Sequence, residues 1–102
     1  MTFGYYDKEK FKGEMNWMDV KYKYMYGVKL DDVLFNGKST GVCADRPADK
    51  PCLITFDSGT SLMSVPKFAT KNFVENGIPT SNFVKKCHNE KDFGDMALVI
   101  GG

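Results

Sequence analysis

Residues 53–66 read Leu-Ile-Thr-Phe-Asp-Ser-Gly-Thr-Ser-Leu-Met-Ser-Val-Pro, and few folds accommodate that order. Leu53 to Phe56 is apolar and β-prone enough for a short strand. Asp57 ends it. Ser58, Gly59, Thr60 and Ser61 suit neither helix nor strand. Pro66 suits the first turn of a helix, where its missing N–H costs little. The chain therefore passes from strand to helix through a small polar loop that carries one carboxylate. Gly59 allows tight backbone approach and leaves its N–H free to point at the Asp57 oxygens. The Thr60 and Ser61 hydroxyls can donate to the same group. Donors aimed at the charged form keep a carboxylate ionised and fix its rotamer. The same residues also suit an Asx turn that merely joins strand to helix.

The rest of the chain reads as mostly β with one helix. Met15 to Val20 and Tyr24 to Leu30 are rich in aromatic and branched residues and are expected as strands. Val28 and Leu30 alternate with Lys29 and Asp31, as in a half-buried strand. Asn36-Gly37 lies between Val33-Leu34-Phe35 and Lys38-Ser39-Thr40 and predicts a hairpin, because both turn residues tolerate positive φ. Val65, Ala69 and Phe73 form one stripe of a helix, with Phe68 beside it. Gly77 stops that helix and Pro79 prevents its resumption. Phe83–Val84 and Met96 to Ile100 are further expected strands. Gly101-Gly102 follows apolar Leu98-Val99-Ile100 directly, so the chain is expected to continue beyond residue 102. The tyrosines at 5, 6, 22, 24 and 26 are expected to pack on the sheet rather than stack on bases.

At 102 residues the chain fits one small domain or part of a larger one. Hydrophobic residues make up 42% and charged residues 26%, which is a globular composition. The net charge of +1 is spread without a basic stripe, so nucleic acid is not an expected partner. No apolar run is long enough to cross a membrane, and the N-terminus lacks a signal-peptide pattern. Cys43 and Cys52 flank the loop Ala-Asp-Arg-Pro-Ala-Asp-Lys-Pro. A disulfide closing so short a ring would contribute about 2–3 kcal/mol if unstrained. Cys87 is then left over and calls for a partner outside this segment. The alternative is that all three are reduced and buried. Cys43, Cys52, Cys87 and His88 match no common zinc spacing, and adjacent Cys87 and His88 would point to opposite faces of a strand. That also argues against a Cys87–His88 nucleophile pair. Gly37-Lys38-Ser39 lacks the upstream glycine of a phosphate-binding loop, since Asp32 stands there. No metal or cofactor is expected.

Leu53-Ile54-Thr55-Phe56-Asp57-Ser58-Gly59-Thr60-Ser61-Leu62, closed by Val65-Pro66, resembles the active-site pattern of the pepsin-like aspartic proteases. Phe3-Gly4, Asp7, Phe11-Lys12-Gly13-Glu14 and Asn16-Trp17 resemble the segment that leads into the C-terminal lobe of that family. Tyr26, Val28, Leu30-Asp31 and Asn36-Gly37 resemble the strand and hairpin that follow. Cys43 and Cys52 resemble the small disulfide loop before the second catalytic aspartate, although this loop is longer than in pepsin itself. Cys87 resembles the first cysteine of the next disulfide, whose partner would lie beyond residue 102. The likeness spans essentially the whole chain, in the family's order. It implies that residues 1–102 are the first part of a C-terminal lobe that continues further.

The resemblance implies that Asp57 is the second member of a catalytic pair. Ser58, Gly59, Thr60 and Ser61 would support it, with the Ser58 hydroxyl clamping the two lobes and the Thr60 hydroxyl bonding the outer Asp57 oxygen. Gly59, Thr60 and Met25 would face bound peptide, Met25 standing where an aromatic is common on the primed side of the cleft. The partners implied are a peptide or protein substrate and the N-terminal lobe of the same parent. The first Asp-Thr-Gly, the flap tyrosine and the Ile-Leu-Gly-Asp segment of the family do not occur in this sequence, so this segment alone is expected to be inactive. The parent is expected in the secretory pathway, reaching an acidic vacuole, a lysosome-like compartment or the exterior. Two other readings compete. A noncatalytic pepsin-like binding module would follow if the parent lacked the partner aspartate. A homodimeric retropepsin-like protease would need the motif earlier in the chain and more residues after it.

Overall fold

The structure is a computed structural model and describes residues 1–78 and 94–102. Those residues form two three-stranded antiparallel sheets and one α-helix. The first sheet has the order β1-β2-β5, from Val20–Tyr22, Gly27–Lys29 and Leu53–Ile54. The second has the order β4-β3-β6, from Lys38–Ser39, Asp32–Phe35 and Met96–Val99. Helix α1 runs over Lys67–Glu75. The mostly β expectation with a single helix after the Asp57 loop therefore holds among the described residues.

The hairpin between β3 and β4 turns where Asn36-Gly37 predicts. Asn36 has φ 51° and Gly37 has φ 77°, the paired left-handed conformations that a two-residue hairpin needs. Phe35 faces Lys38 across it. Strand β6 then completes the sheet from far along the chain, pairing Asp32 with Val99 and Phe35 with Met96. That strand was expected over Met96 to Ile100 and ends one residue sooner.

The N-terminal half departs from expectation. Met15 to Val20 is not a strand, because β-pairing begins only at Val20. Tyr24 to Leu30 is shortened to Gly27–Lys29. The physical reason is chain reversal. Antiparallel strands β1 and β2 must be joined, and the chain turns at Lys23–Met25 in a 3₁₀ turn, with Tyr26 left-handed at φ 52°. Those residues cannot also extend a strand. The tyrosines do not pack on the sheet either. Tyr24 is 85% exposed and Tyr26 78% exposed. Tyr22 and Tyr24 meet each other at 6.3 Å, and Tyr6 meets Phe11 and Trp17 at 6.0 and 6.5 Å.

Helix α1 starts one residue after Pro66, which stands at the N-cap with φ −68° and ψ 154°. Ala69 and Phe73 are buried with Phe68 half exposed beside them, but Val65, expected on the same stripe, lies before the helix because Pro66 is still extended. The helix ends as the sequence predicts. Gly77 takes φ +76°, and its N–H bonds the Val74 carbonyl at 3.1 Å. The Ile78 N–H reaches the Phe73 carbonyl at 2.9 Å. These two bonds are a Schellman motif, with Ile78 and Phe73 in the apolar cluster that accompanies it. The Asn72 and Asn76 side-chain amides both donate to the Thr40 carbonyl, at 3.1 and 3.4 Å. They tie the helix to the end of β4.

Among the described residues the core is Val33, Val42, Ala69 and Phe73, with Leu30, Cys43, Ile78 and Leu98 against it. The expected pairing of Cys43 with Cys52 is present, with 5.6 Å between the Cα atoms. Pro79, Phe83, Val84, Cys87 and His88 lie outside the described residues. No described helix is long and apolar enough to cross a membrane.

Among the described residues Phe73 is the one aromatic in the buried cluster. Phe73→Ala is expected to cost about 3–5 kcal/mol, and Val74→Ala on the exposed side less than about 0.5 kcal/mol. Urea unfolding of the two variants beside the parent sequence checks the contrast.

Candidate active site

Strand β5 is two residues long and is held to β2 by the register Val28 with Ile54 and Lys29 with Leu53. The Leu30 N–H extends that attachment by bonding the Cys52 carbonyl at 3.0 Å. Both anchors lie upstream of Asp57. The chain then runs through Thr55 and Phe56 and turns, with the Thr60 N–H donating to the Asp57 carbonyl at 3.3 Å.

Each oxygen of the Asp57 carboxylate has its own donor. The Gly59 N–H donates to Oδ1 at 2.9 Å, and the Thr60 hydroxyl donates to Oδ2 at 2.6 Å. The Thr60 hydroxyl, then the Gly59 N–H, hold the Asp57 carboxyl below the ordinary aspartate value, against a small opposing effect of burial. The side chain is nonetheless open to solvent. The result is a fixed, ionised and accessible carboxylate. No hydrogen bond joins Ser58 or Ser61 to Asp57 among the described residues.

Asp57, Thr60 and Met25 line one apolar basin of about 660 Å³. Ser58, Gly59 and Ser61 are not part of its lining. The floor is the core itself, including Val33, Val42 and Phe73. The wall includes Arg46 and Phe68, which sequence reasoning did not single out as site residues. Leu62 and Met63 also line it, and their place directly after four small or hydroxylated residues was the available signal.

A second carboxylate, Asp31, is also held below the ordinary value. Lys29 is the main cause, followed by the Gly102 and Gly101 N–H groups. The Lys29 ammonium lies 2.9 Å from Oδ1, and the two glycine amides lie 2.8 and 3.2 Å from Oδ2. This acid is spoken for by a cation and by the chain's own backbone. Among the described residues Asp57 has neutral donors only, and it faces an open basin. No cluster of metal-ligating side chains occurs among the described residues.

The whole chain, residues 1–102, matches the family model described as eukaryotic aspartyl protease. It is 36% identical over 106 aligned residues to pepsin II-2/3 of Oryctolagus cuniculus, covering 100% of this chain and 26% of that protein. It is 36% identical over 102 residues to an aspartic proteinase of Oryza sativa subsp. japonica, covering 98% of this chain and 19% of that protein. Cardosin-E of Cynara cardunculus is 39% identical over 66 residues, covering 65% of this chain and 27% of the relative. The chain thus spans about a quarter or less of the length of the curated relatives it matches. No solved structure gives a significant match.

The depressed Asp57 value has a pH consequence. A carboxylate whose folded value lies below its unfolded value stabilises the structure above the ordinary aspartate value. That contribution is lost as pH falls through the lower, folded value. Thr60→Val removes the larger cause, so the Asp57 titration is expected to move up toward the ordinary aspartate value. Carbon-13 titration of the carboxyl by NMR checks this; an unmoved midpoint would remove Thr60 as the cause.

Proposed function

The chain belongs to the eukaryotic aspartyl protease family, and on that premise we propose that it is the first part of the C-terminal lobe of a pepsin-like endopeptidase in which Asp57 is the second catalytic acid. The observation that carries this reading is the accessible Asp57 carboxylate, with both oxygens hydrogen-bonded inside an Asp-Ser-Gly-Thr loop. The parent supplies a matching aspartate from its N-terminal lobe. Two carboxylates that face each other cannot both ionise, so they share one proton. The ionised member takes a proton from a water lying between them, and the resulting hydroxide attacks the peptide carbonyl carbon. The protonated member gives its proton to the carbonyl oxygen. A gem-diol forms, and its collapse breaks the C–N bond as the amine nitrogen gains a proton. No covalent acyl-enzyme is formed.

Residue roles follow the same reading. Gly59 and Thr60 fix the Asp57 rotamer, which places its oxygens before substrate arrives. The Ser58 hydroxyl clamps the lobes, and Ser61 supports the loop. Met25, Gly59 and Thr60 face an extended peptide, and Met25, Thr60 and Asp57 line one basin. Titration belongs to the pair rather than to Asp57 alone. The Cys43–Cys52 bridge supports passage of the parent through the oxidising secretory pathway, toward an acidic vacuole, a lysosome-like compartment or the exterior.

Asp57→Asn in the intact parent is expected to reduce acid proteolysis by at least about a hundredfold, with circular dichroism unchanged. Retained turnover in that variant would remove Asp57 from the chemistry. The 102-residue chain by itself is expected to cleave no peptide at any acid pH, because it carries one acid of the pair. Proteolysis by the purified segment, lost on Asp57→Asn, would favour a self-sufficient dimer instead.

A further inference from the structure

The loop between Cys43 and Cys52 is a built element rather than slack chain. The disulfide closes it. Inside, the Arg46 N–H bonds the Cys43 carbonyl at 3.3 Å and the Lys50 N–H bonds the Pro47 carbonyl at 3.0 Å. The Arg46 Nε donates to the Lys50 carbonyl at 3.2 Å, which fixes the direction of its side chain. Its guanidinium carbon then lies 4.9 Å from the centre of the Phe68 ring. No ion pair engages Arg46 among the described residues; the pairs there are Lys21–Asp19, Lys29–Asp31 and Lys71–Glu75. The cation is committed to the ring face, an attractive geometry within the range of a cation–π contact.

The placement of the two partners matters more than the contact alone. Cys52, the exit of the ring, leads directly into β5 and on to Asp57. Phe68 is the second residue of α1, the first element after the Asp57 loop. Between them, residues 61–65 make no hydrogen bond to the rest of the fold among the described residues, and all five are exposed. Arg46 therefore joins the segment before the catalytic loop to the segment after it. Arg46, Phe68, Asp57 and Thr60 line the same basin.

We propose that Arg46 is a positioning residue that, stacked on Phe68, holds the two ends of the Asp57 loop at a fixed separation. It touches no reacting atom. Its effect on catalysis rests on the proteolytic reading above; its effect on the loop does not. Loss of the stack lets the segment from Ser61 to Pro66 shift, which moves the Asp57 carboxylate relative to its partner and loosens the basin wall that Leu62 and Met63 form.

The test uses the intact parent with Arg46→Ala, Arg46→Lys, Phe68→Leu and the Arg46→Ala/Phe68→Leu double variant. Amide exchange of Gly59 and Thr60, the loop N–H groups that bond Asp57, is read by NMR, beside kcat and KM. Arg46→Ala is expected to speed exchange and lower kcat by about two- to fivefold, the scale of an exposed cation–π contact, with KM rising because Leu62 and Met63 line the basin. Arg46→Lys keeps a cation over the ring and is expected to recover most of both. The double variant is expected to match the worse single variant, because both substitutions remove one interaction. Wild-type exchange in Arg46→Ala, or effects of the two substitutions that simply multiply, would overturn the proposal. Faster exchange in a parent that shows no Asp57-dependent proteolysis would support the clamp and sink the proteolytic reading instead.

Discussion

A carboxylate on an exposed loop keeps no fixed orientation unless donors meet both of its oxygens. Here the Gly59 N–H and the Thr60 hydroxyl meet one each, at 2.9 and 2.6 Å. Both donors come from the next three residues, so the arrangement is local and cheap to form. It is also demanding, because residues 58–60 must turn back on Asp57 instead of continuing the strand. Much of the described fold bears on that turn. Strand β5 delivers Asp57 from one side, and α1 anchors the chain on the other through Ala69 and Phe73.

The anchors themselves are modest. Strand β5 has two residues in register with β2, and the buried cluster around α1 has four members. Such elements gain their rigidity from restraints that act at their ends. The Schellman close at Gly77 and Ile78 fixes the far end of the helix. Asn72 and Asn76 fix its side against Thr40. The ring closed by Cys43 and Cys52 sits at the entrance of β5 and reaches across to the first turn of the helix. The position of one side chain thus depends on contacts from three parts of the chain.

What could be read from the sequence was what local chemistry decides. Asn36-Gly37 encodes its own turn because both residues accept positive φ. The helix was legible from the spacing of Ala69 and Phe73 and from the Gly77 stop. The donors on Asp57 were legible because they lie within three residues of it. The misreadings came from treating aromatic content as a sign of sheet. Tyr24 and Tyr26 have the composition of a strand, yet their position between two antiparallel strands makes them the reversal. Long-range partners were invisible for a different reason. Nothing in Asp31 announces that it will bind the amides of Gly101 and Gly102, seventy residues away. Nothing in Arg46 names Phe68. Those contacts depend on the assembled topology, which no local pattern encodes.

The central claim is that Asp57 is one half of a shared-proton pair in the parent protein. Site-specific carbon-13 titration of the Asp57 carboxyl, in the 102-residue chain and in the intact parent, addresses it most directly. In the segment, one proton should leave in a single step below the ordinary aspartate value. In the parent, the same resonance should report two coupled steps, one of them raised by the facing carboxylate, and should return to one step when that partner is changed to asparagine. An identical single, depressed step in both proteins would contradict the pair and leave only a well-held surface aspartate.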